Sequence, residues 1–183
     1  MGYLPIEQLE VLVGNNVRKQ EILLEKTKKL IACYPKTAKQ TKSLVSYFES
    51  FESIKQAFFS SLYAKEKIIR SIVPAQNYFN EIGKDFILEY VTEKQKRKLQ
   101  TVALWEDIPN KKIMADYYGS ANVRQLPIDM HNSFDTTVFI FDNKTLYVSP
   151  KREQYAVLIQ SDAHAKMMKT MFDNIWSNAI SLK

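Results

Sequence analysis

Two adjacent carboxylates, Glu106 and Asp107, have the residue type and the position that acid–base chemistry would need. They come at the end of a predicted strand, directly after Trp105, and open parallel sheets hold ligands at the carboxyl ends of their strands. An acidic pair there can serve as general acid and general base, but the sequence offers no second catalytic partner. Hydrogen bonding to a polar ligand, or an ordinary turn, is therefore favoured. We predict no catalytic residue.

The same edge of the predicted sheet has the composition of a sugar-like pocket. An indole ring supplies an apolar face, and polar anchors beside it would orient a small ligand. The predicted ligand-binding residues are Pro74, Gln76, Asn77, Trp105, Glu106 and Asp107.

A histidine and a lysine, His164 and Lys166, are spaced as in the H-x-K-x4-D signature of phospholipase D enzymes. In that signature the histidine is the phosphoryl nucleophile and the lysine binds phosphate. The position of the aspartate holds Met171 here, and Asp173 comes two residues late. His164 also falls in the first turn of a predicted helix, whereas the signature requires a strand end, so the match is interpreted as chance.

Metal, phosphate-loop and thiol chemistry find no support in the sequence. Four glycines have no phosphate-loop spacing, and His131 and His164 lack metal-ligand partners at suitable spacing. Cys33 cannot form an internal disulfide and is expected to pack in a helix. No metal and no cofactor is therefore predicted.

The net charge of +6 suggests a nucleic-acid partner, but its distribution does not. Residues 1–42 carry eight Lys and Arg against four Asp and Glu, whereas residues 43–183 carry 18 against 16. A DNA-binding module concentrates its basic residues on one face or one helix. No apolar run approaches membrane-spanning length, and the N-terminus lacks a secretion-signal pattern. A cytoplasmic protein without a membrane partner is expected.

Short runs rich in Val, Ile, Phe, Tyr and Thr predict seven strands: 43–50, 67–74, 99–106, 122–129, 136–143, 145–150 and 155–162. Helices are predicted at 51–65, 76–98 and 110–118, with a closing helix at 163–182 after Asp162 as N-cap. Asp142-Asn143-Lys144 is a hairpin signal. The pattern indicates an α/β fold with a mixed, largely parallel sheet flanked by helices.

A long helix over residues 5–34 precedes these elements. Its heptad positions comprise one set, Leu9, Asn16, Leu23 and Leu30, and a second set, Val13, Gln20, Thr27 and Tyr34. Only half of these are apolar, so a dimerising coiled coil and an amphipathic helix lying on its own domain both remain open. The predicted dimerisation residues are Leu9, Val13, Asn16, Leu23 and Leu30. A polar hinge, 35–42, divides residues 1–42 from residues 43–183.

The order of these segments resembles a known family. YLPIEQLEVLV and KQEILLEKTKKL form the leading helix, and SLVSYFESFESIKQAF and EKIIRSIVP follow the hinge. The chain ends in FIFDNKTLYVSPKREQYAVLIQSDAHAKMMKTMFDNIWSNA. This layout resembles the C-terminal region of TrmB-type transcriptional regulators. The resemblance implies a coiled-coil dimerisation helix and an effector domain with a phospholipase-D-like fold that lacks the catalytic motif.

In that family a winged helix-turn-helix domain precedes the coiled coil, and none precedes residue 1 here. The sequence is thus either a fragment or a stand-alone dimerisation and sensing module, which would reach DNA only through such a domain. The predicted function is the ligand-sensing, homodimeric part of a TrmB-like regulator. Two alternatives remain open: a phospholipase-D-superfamily phosphodiesterase or nuclease in which two chains supply paired His and Lys, and an interaction module without a small ligand.

Overall fold

The computed structural model describes residues 6–33, 43–75, 84–108, 122–149 and 153–181. The chain divides into two compact units, Met1–Gln40 and Thr41–Lys183. In the first unit, helix α1 runs from Ile6 to Cys33, which confirms the predicted long N-terminal helix. The predicted hinge, residues 35–42, lies outside the described residues, as does Tyr34.

The second unit is an α/β layer structure. Within the described residues, its helices are α2, Phe51–Ser60; α3, Lys84–Lys96; and α4, Asp162–Asn178. Its strands are β1, Leu44–Phe48; β2, Ile68–Val73; β3, Gln100–Trp105; β4, Val123–Gln125; β5, Thr137–Phe141; β6, Lys144–Val148; β7, Ala156–Gln160; and β8, Ile180–Ser181. Short 3-10 turns cover Ser61–Tyr63 and Ile128–Met130. Every predicted β run overlaps one of these strands.

The eight strands form one sheet in the order β1-β7-β6-β5-β2-β3-β4-β8. Strand β2 is parallel to β3, and β3 to β4, whereas the other five pairings are antiparallel. The predicted α/β class and mixed sheet are confirmed, but the parallel part is smaller than expected. The parallel pairing of β2 and β3 follows from the helical crossover between them. Of the antiparallel pairings, β5–β6 and β6–β7 join consecutive strands, whereas β1–β7, β2–β5 and β4–β8 join strands that are distant in sequence.

Each face of the sheet has its own core. One face is covered by α2 and α3, and its core contains Ile54, Phe58, Phe86, Tyr90, Phe139, Phe141 and Leu146; we call it the aromatic face. The opposite face is covered by α4, and its core contains Ile72, Leu104, Leu126, Val138, Ile140 and Phe172; we call it the α4 face. Strand residues alternate between the two faces, so Val138 and Phe139 belong to different cores.

The structure corrects two local predictions, and a third falls partly or wholly on residues that it does not describe. The N-cap of α4 is Ser161, not Asp162, because the Ser161 hydroxyl accepts a hydrogen bond from the His164 backbone N–H. The closing helix ends at Asn178, and Ile180–Ser181 pair with β4, where a longer helix was expected. Predicted helix 110–118 and the first part of 76–98 lie outside the described residues.

The hairpin signal at Asp142 is confirmed. β5 and β6 pair up to Phe141 and Lys144, which leaves Asp142 and Asn143 as the turn. Asp142 has a φ of 50°, the left-handed conformation that such two-residue turns require. Its carboxylate also accepts the backbone N–H groups of Lys65 and Glu66, each at 3.0 Å. The turn is thereby joined to the loop before β2.

Candidate functional site

The carboxyl ends of the three parallel strands meet at one edge of the sheet. β2 ends at Val73, β3 at Trp105 and β4 at Gln125, and antiparallel β5 begins at this same edge. We call this edge the rim; it comprises residues 74–75, 106–108, 126 and 131–136. Four of the predicted ligand-binding residues lie here or at the adjoining strand end: Pro74, Trp105, Glu106 and Asp107. Gln76 and Asn77 lie outside the described residues.

Glu106 joins three segments of the rim. One carboxylate oxygen accepts the backbone N–H of Ala75 at 2.9 Å, and the other accepts the N–H of Asn132. The Glu106 N–H donates in turn to the carbonyl of Val73 at 2.9 Å, and the side chain is only 6% exposed. The carboxylate therefore holds the loop after β2 and the connection before β5 together.

The environment of Glu106 favours its charged form. Burial alone raises the pKa of a carboxyl group, but the two backbone N–H donors and the nearby His131 ring bring the pKa of Glu106 below its ordinary 4.5. His131 lies against the same loop, with its Nε2 3.2 Å from the carbonyl oxygen of Leu126. An ionised, doubly hydrogen-bonded carboxylate is a fixed structural group, and a general acid or base role is not supported by this arrangement.

Trp105 and Asp107 lie in contrasting surroundings. The indole of Trp105 is 8% exposed and belongs to a small core with Val73, Ala103, Ile108 and Val123. Asp107 is exposed. A sugar ring stacked on the indole would need more open surface than the described residues leave, so the sugar-like pocket remains a prediction.

A separate cavity lies under α4, next to the rim. It has a volume of about 400 Å³. Its floor is formed by Ile72, Val138 and Tyr147, its roof by Met168, Met171, Phe172 and Ile175, and its mouth by Met130, Ser133, Phe134, Asp135 and Thr136. The sequence does not reveal this cavity, because the methionine and aromatic stripe of α4 matches the pattern of an ordinary packed helix.

The structure places both residues of the His164–Lys166 pair on α4. His164 lies in the first turn of α4, and its Nε2 is 3.1 Å from the Tyr147 hydroxyl. Lys166 is exposed and lines an open polar groove of about 880 Å³ at the edge of the sheet opposite the rim.

The β5–β6 hairpin is a second possible place for the signature, because Asp142 directly follows a strand there. The signature is missing at this place too. Counted back from Asp142, the spacing of H-x-K-x4-D places Asp135 at the histidine and Thr137 at the lysine position. Neither can take the role of the residue it replaces. The described residues also contain no group of three or more His, Cys, Asp or Glu able to hold a metal ion. No described helix is long and apolar enough to cross a membrane.

The α1 helix carries an exposed apolar stripe. Val13 is 61% and Leu23 69% exposed, and Val17 and Leu24 lie beside them at 49% and 56%. Asn16 is also exposed, within the same stripe. Leu9 and Leu30, the other predicted dimerisation residues, fall inside the helix. The stripe is the surface that the coiled-coil prediction requires, although pairing itself stays a prediction.

Solved structures share this architecture. TrmBL2, an archaeal chromatin protein whose structure shows a novel mode of DNA binding, matches with a TM-score of 0.51 at 17% identity, over 96% of this chain and 68% of its own. Nuc from Salmonella typhimurium, a phospholipase D family member, matches with a TM-score of 0.53 at 17% identity, over 76% and 98%. NucT from Helicobacter pylori matches with a TM-score of 0.57 at 10% identity, over 76% and 99%.

The fold is phospholipase-D-like. This confirms the predicted effector-domain fold, and the likeness to TrmBL2 agrees with the resemblance seen in the sequence. At these identities the likeness concerns the fold alone. No protein-family model and no curated protein matches the chain.

The two kinds of neighbour cover different lengths of the chain. Nuc and NucT leave about a quarter of the chain unmatched, whereas TrmBL2 leaves only 4%. Because 4% of 183 residues is far fewer than the 40 residues of Met1–Gln40, the likeness to TrmBL2 extends into the first unit. Nuc, by contrast, is matched over nearly its whole length by about three quarters of this chain.

Proposed function

We propose that this chain is the dimerising and ligand-sensing region of a TrmB-like transcriptional regulator. The observation that carries the proposal is the combination of α1, with its exposed apolar stripe, and a phospholipase-D-like unit in which the H-x-K-x4-D signature is not found. TrmBL2 is matched across both parts. In this proposal the chain is not an enzyme, and DNA is contacted through a helix-turn-helix domain outside these 183 residues.

Pairing through α1 is supported by the cost of leaving its stripe in water. Each fully buried Val or Leu side chain contributes about 1.5–3 kcal/mol, so four half-exposed side chains are a substantial driving force for association. Val13, Val17 and Leu24 lie within about 40° of one another around a helix with 3.6 residues per turn. A second copy of the same helix offers the same stripe and satisfies a two-fold interface.

The charge distribution supports the proposal that this region does not itself contact DNA. Residues 43–183 carry 18 basic and 16 acidic side chains, an excess of only two cations, which is too few to neutralise several phosphates. Binding of this region to DNA by itself is therefore expected to be weak and sensitive to salt.

Ligand sensing would act through the rim. Glu106 couples the loop after β2 to the connection before β5, so a ligand that prefers one arrangement of these loops shifts the population of that arrangement. In a dimer, such a shift changes the relation between the paired chains, which a DNA-binding domain can detect.

The dimer is tested by light scattering on the full chain. We expect a mass of about 43 kDa, twice the 21.3 kDa of one chain, at micromolar concentration. V13E/L23E should return the mass to one chain. Ile22→Glu is the matched control, because Ile22 is 49% exposed but lies on the opposite side of α1 from Val13. A wild-type mass of one chain contradicts the dimer.

Phosphodiesterase activity is the second candidate, because Nuc and NucT share the fold. The test is hydrolysis of bis(p-nitrophenyl) phosphate by the wild type, by His164→Ala and by the control His131→Ala. We expect no hydrolysis above background. Activity that disappears in His164→Ala but not in His131→Ala would replace the regulatory proposal.

Thermal unfolding with a panel of sugars and nucleotides distinguishes a domain that senses a sugar-like ligand from an interaction module that binds no small ligand. A ligand at a hundred times its Kd stabilises the native state by about 2.7 kcal/mol. Asp107→Asn should reduce any such shift if the rim residues bind the ligand. No shift with any compound would support the interaction module.

A further inference from the structure

The cavity under α4 is built from three strands, one helix and one loop. The floor residues come from β2, β5 and β6, which are neighbours in the sheet. The roof residues Met168, Met171, Phe172 and Ile175 follow the i, i+3, i+4, i+7 spacing of one helix face. The closing helix therefore covers the sheet at this end without filling the space beneath it.

The space beneath α4 has mainly apolar walls and opens to solvent. Small-molecule sites have volumes of about 300–1,000 Å³ with mainly apolar walls. At about 400 Å³ the cavity falls in that range. The three methionines on its walls, Met130, Met168 and Met171, adapt readily to ligands of different shape.

The mouth of the cavity has a different chemistry from its walls. Ser133, Asp135 and Thr136 line it, and Asp135 is exposed. Among the described residues, the Asp135 carboxylate has no hydrogen-bond or ion-pair partner. The other polar wall group, the Tyr147 hydroxyl, is occupied by His164 and by the Met168 sulfur at 3.5 Å.

The mouth is also held in position. Its loop is joined to the sheet edge by the Asn132 N–H, which donates to the buried Glu106 carboxylate. Asn132 adopts a left-handed backbone with a φ of 58°, next to Ser133. A pre-formed mouth lowers the entropic cost of binding.

We propose that this cavity binds an amphipathic amine: its ring or branched hydrocarbon lies between the sheet and α4, and its positively charged end meets Asp135. This site is distinct from the predicted sugar-like pocket at the rim. As an effector site it rests on the proposed sensing function, whereas binding itself does not.

The test uses methionine methyl groups as reporters. The chain has six methionines, of which Met130, Met168 and Met171 line the cavity and Met167 does not. Full-length protein labelled with ¹³C at the methionine methyls is titrated with phenethylamine, 3-phenylpropionate and ethylbenzene. We expect phenethylamine to shift the signals of the three lining methionines while leaving Met167 unmoved, with a Kd at least tenfold below that of 3-phenylpropionate.

Two variants with a matched control complete the test. Met171→Trp should block the cavity, and Met167→Trp is its control because the two side chains are 52% and 51% exposed on the same helix. Asp135→Asn should abolish the preference for the amine over the carboxylate while leaving ethylbenzene binding unchanged. The wild-type titration does not depend on any variant being folded.

Each outcome has one meaning. If none of the three probes shifts the lining methionines, the cavity is not a binding site. If 3-phenylpropionate binds as well as phenethylamine, the assignment of the charged end is wrong. A wild-type mass of one chain in light scattering would contradict the proposed dimeric regulator but would not affect the proposal that the cavity binds an amine. Failure of the proposed function and failure of the cavity proposal are therefore distinguishable.

Discussion

The two faces of the sheet are packed in different ways. On the aromatic face, the Phe58 ring makes edge contacts with Phe86 at 5.9 Å, Tyr90 at 6.2 Å and Phe139 at 5.1 Å between centroids. On the α4 face, Phe172 stacks on Trp176 at 5.9 Å, but Met168 and Met171 border open space. Rigid rings fill the first core, and flexible side chains surround a cavity in the second.

This difference separates stability from binding within one domain. Interlocked aromatic rings gain both buried area and favourable ring geometry. A face that keeps a cavity gives up part of that stabilisation, as binding sites generally do. The aromatic face is thus expected to determine stability, and the α4 face to determine what the domain binds.

The largest expected effect comes from truncating the centre of the aromatic face. Phe58 is 0% exposed, and Phe58→Ala should lower the free energy of unfolding by about 3–5 kcal/mol through lost transfer energy and a new cavity. Urea unfolding followed by circular dichroism measures the change. Phe51→Ala, at a 45% exposed position of the same helix, should cost far less. Equal losses would contradict the ranking of the two positions.

A buried lysine lies beside the aromatic face, and its replacement should raise the free energy of unfolding. Lys94 is 6% exposed, and its Nζ donates to Thr101 at 3.1 Å. Burial lowers the pKa of Lys94 from 10.5 to about 8, a difference that corresponds to on the order of 3 kcal/mol. Lys94→Met loses the hydrogen bond, worth about 1 kcal/mol, and should still raise the stability at pH 7 by about 2 kcal/mol.

The gain in stability from Lys94→Met should depend on pH. Below pH 8 the lysine is charged in both states, so the full penalty of burying the charge opposes folding. Between pH 8 and 10.5 only the unfolded state still binds the proton, so stability rises with pH and the penalty is gone above 10.5. The gain from Lys94→Met in urea unfolding should therefore shrink from pH 7 to pH 10.5. A gain that is constant with pH would show that the charge is not its cause.

At the rim, Glu106→Gln tests the link that holds the mouth of the α4 cavity. The amide retains one oxygen acceptor but turns an N–H₂ group towards the second backbone donor, so a loss of about 1–2 kcal/mol is expected at pH 7. Asp107→Asn, at the exposed neighbouring carboxylate, is the control. Hydrogen exchange of the Asn132 amide should accelerate in Glu106→Gln, and an unchanged rate would contradict the proposed link.

The same substitution has a defined pH dependence. The pKa of Glu106 is lower in the folded state than its ordinary value, so the stabilisation is present above the unfolded pKa and is lost as the pH falls through the folded pKa. The difference between wild type and Glu106→Gln should therefore shrink on acidification below pH 4.5. A difference that persists unchanged at lower pH would indicate that the carboxylate charge is not involved.

Local patterns predicted the elements well because local interactions create them. β-Branched and aromatic runs mark the strands, and Asp142-Asn143-Lys144 marks the hairpin turn, in which Asp142 adopts a positive φ. The order of strands depends on contacts between distant segments, which periodicity does not encode. β8 illustrates the limit: Ile180 pairs with Gln125, 55 residues earlier, so only the folded chain reveals that the helix stops at Asn178.

The site was harder to predict than the fold for the same reason. Glu106 was placed correctly at a strand end, but its partner Asn132 lies 26 residues away in a loop without a sequence signal. Met168, Met171 and Phe172 have the spacing of a packed helix face, and whether space remains beneath them depends on the sizes of Val138 and Ile72 in other strands. A cavity is a property of several segments at once.

The substitution with the smallest expected effect, Val138→Ile, tests the comparison of the two faces most directly when it is paired with Val148→Ile. Val138→Ile and Val148→Ile each add one methylene group to a buried valine, 5% and 0% exposed, on opposite faces of neighbouring strands. Val138 lines the cavity, so the added group has room and should stabilise the fold by up to about 0.8 kcal/mol. Val148 is packed within the aromatic face, where overpacking should cost about 1–3 kcal/mol. Urea unfolding of both variants measures the two changes. Opposite signs would establish that free space is confined to the α4 side of this strand pair, and equal losses would mean that the cavity closes in solution.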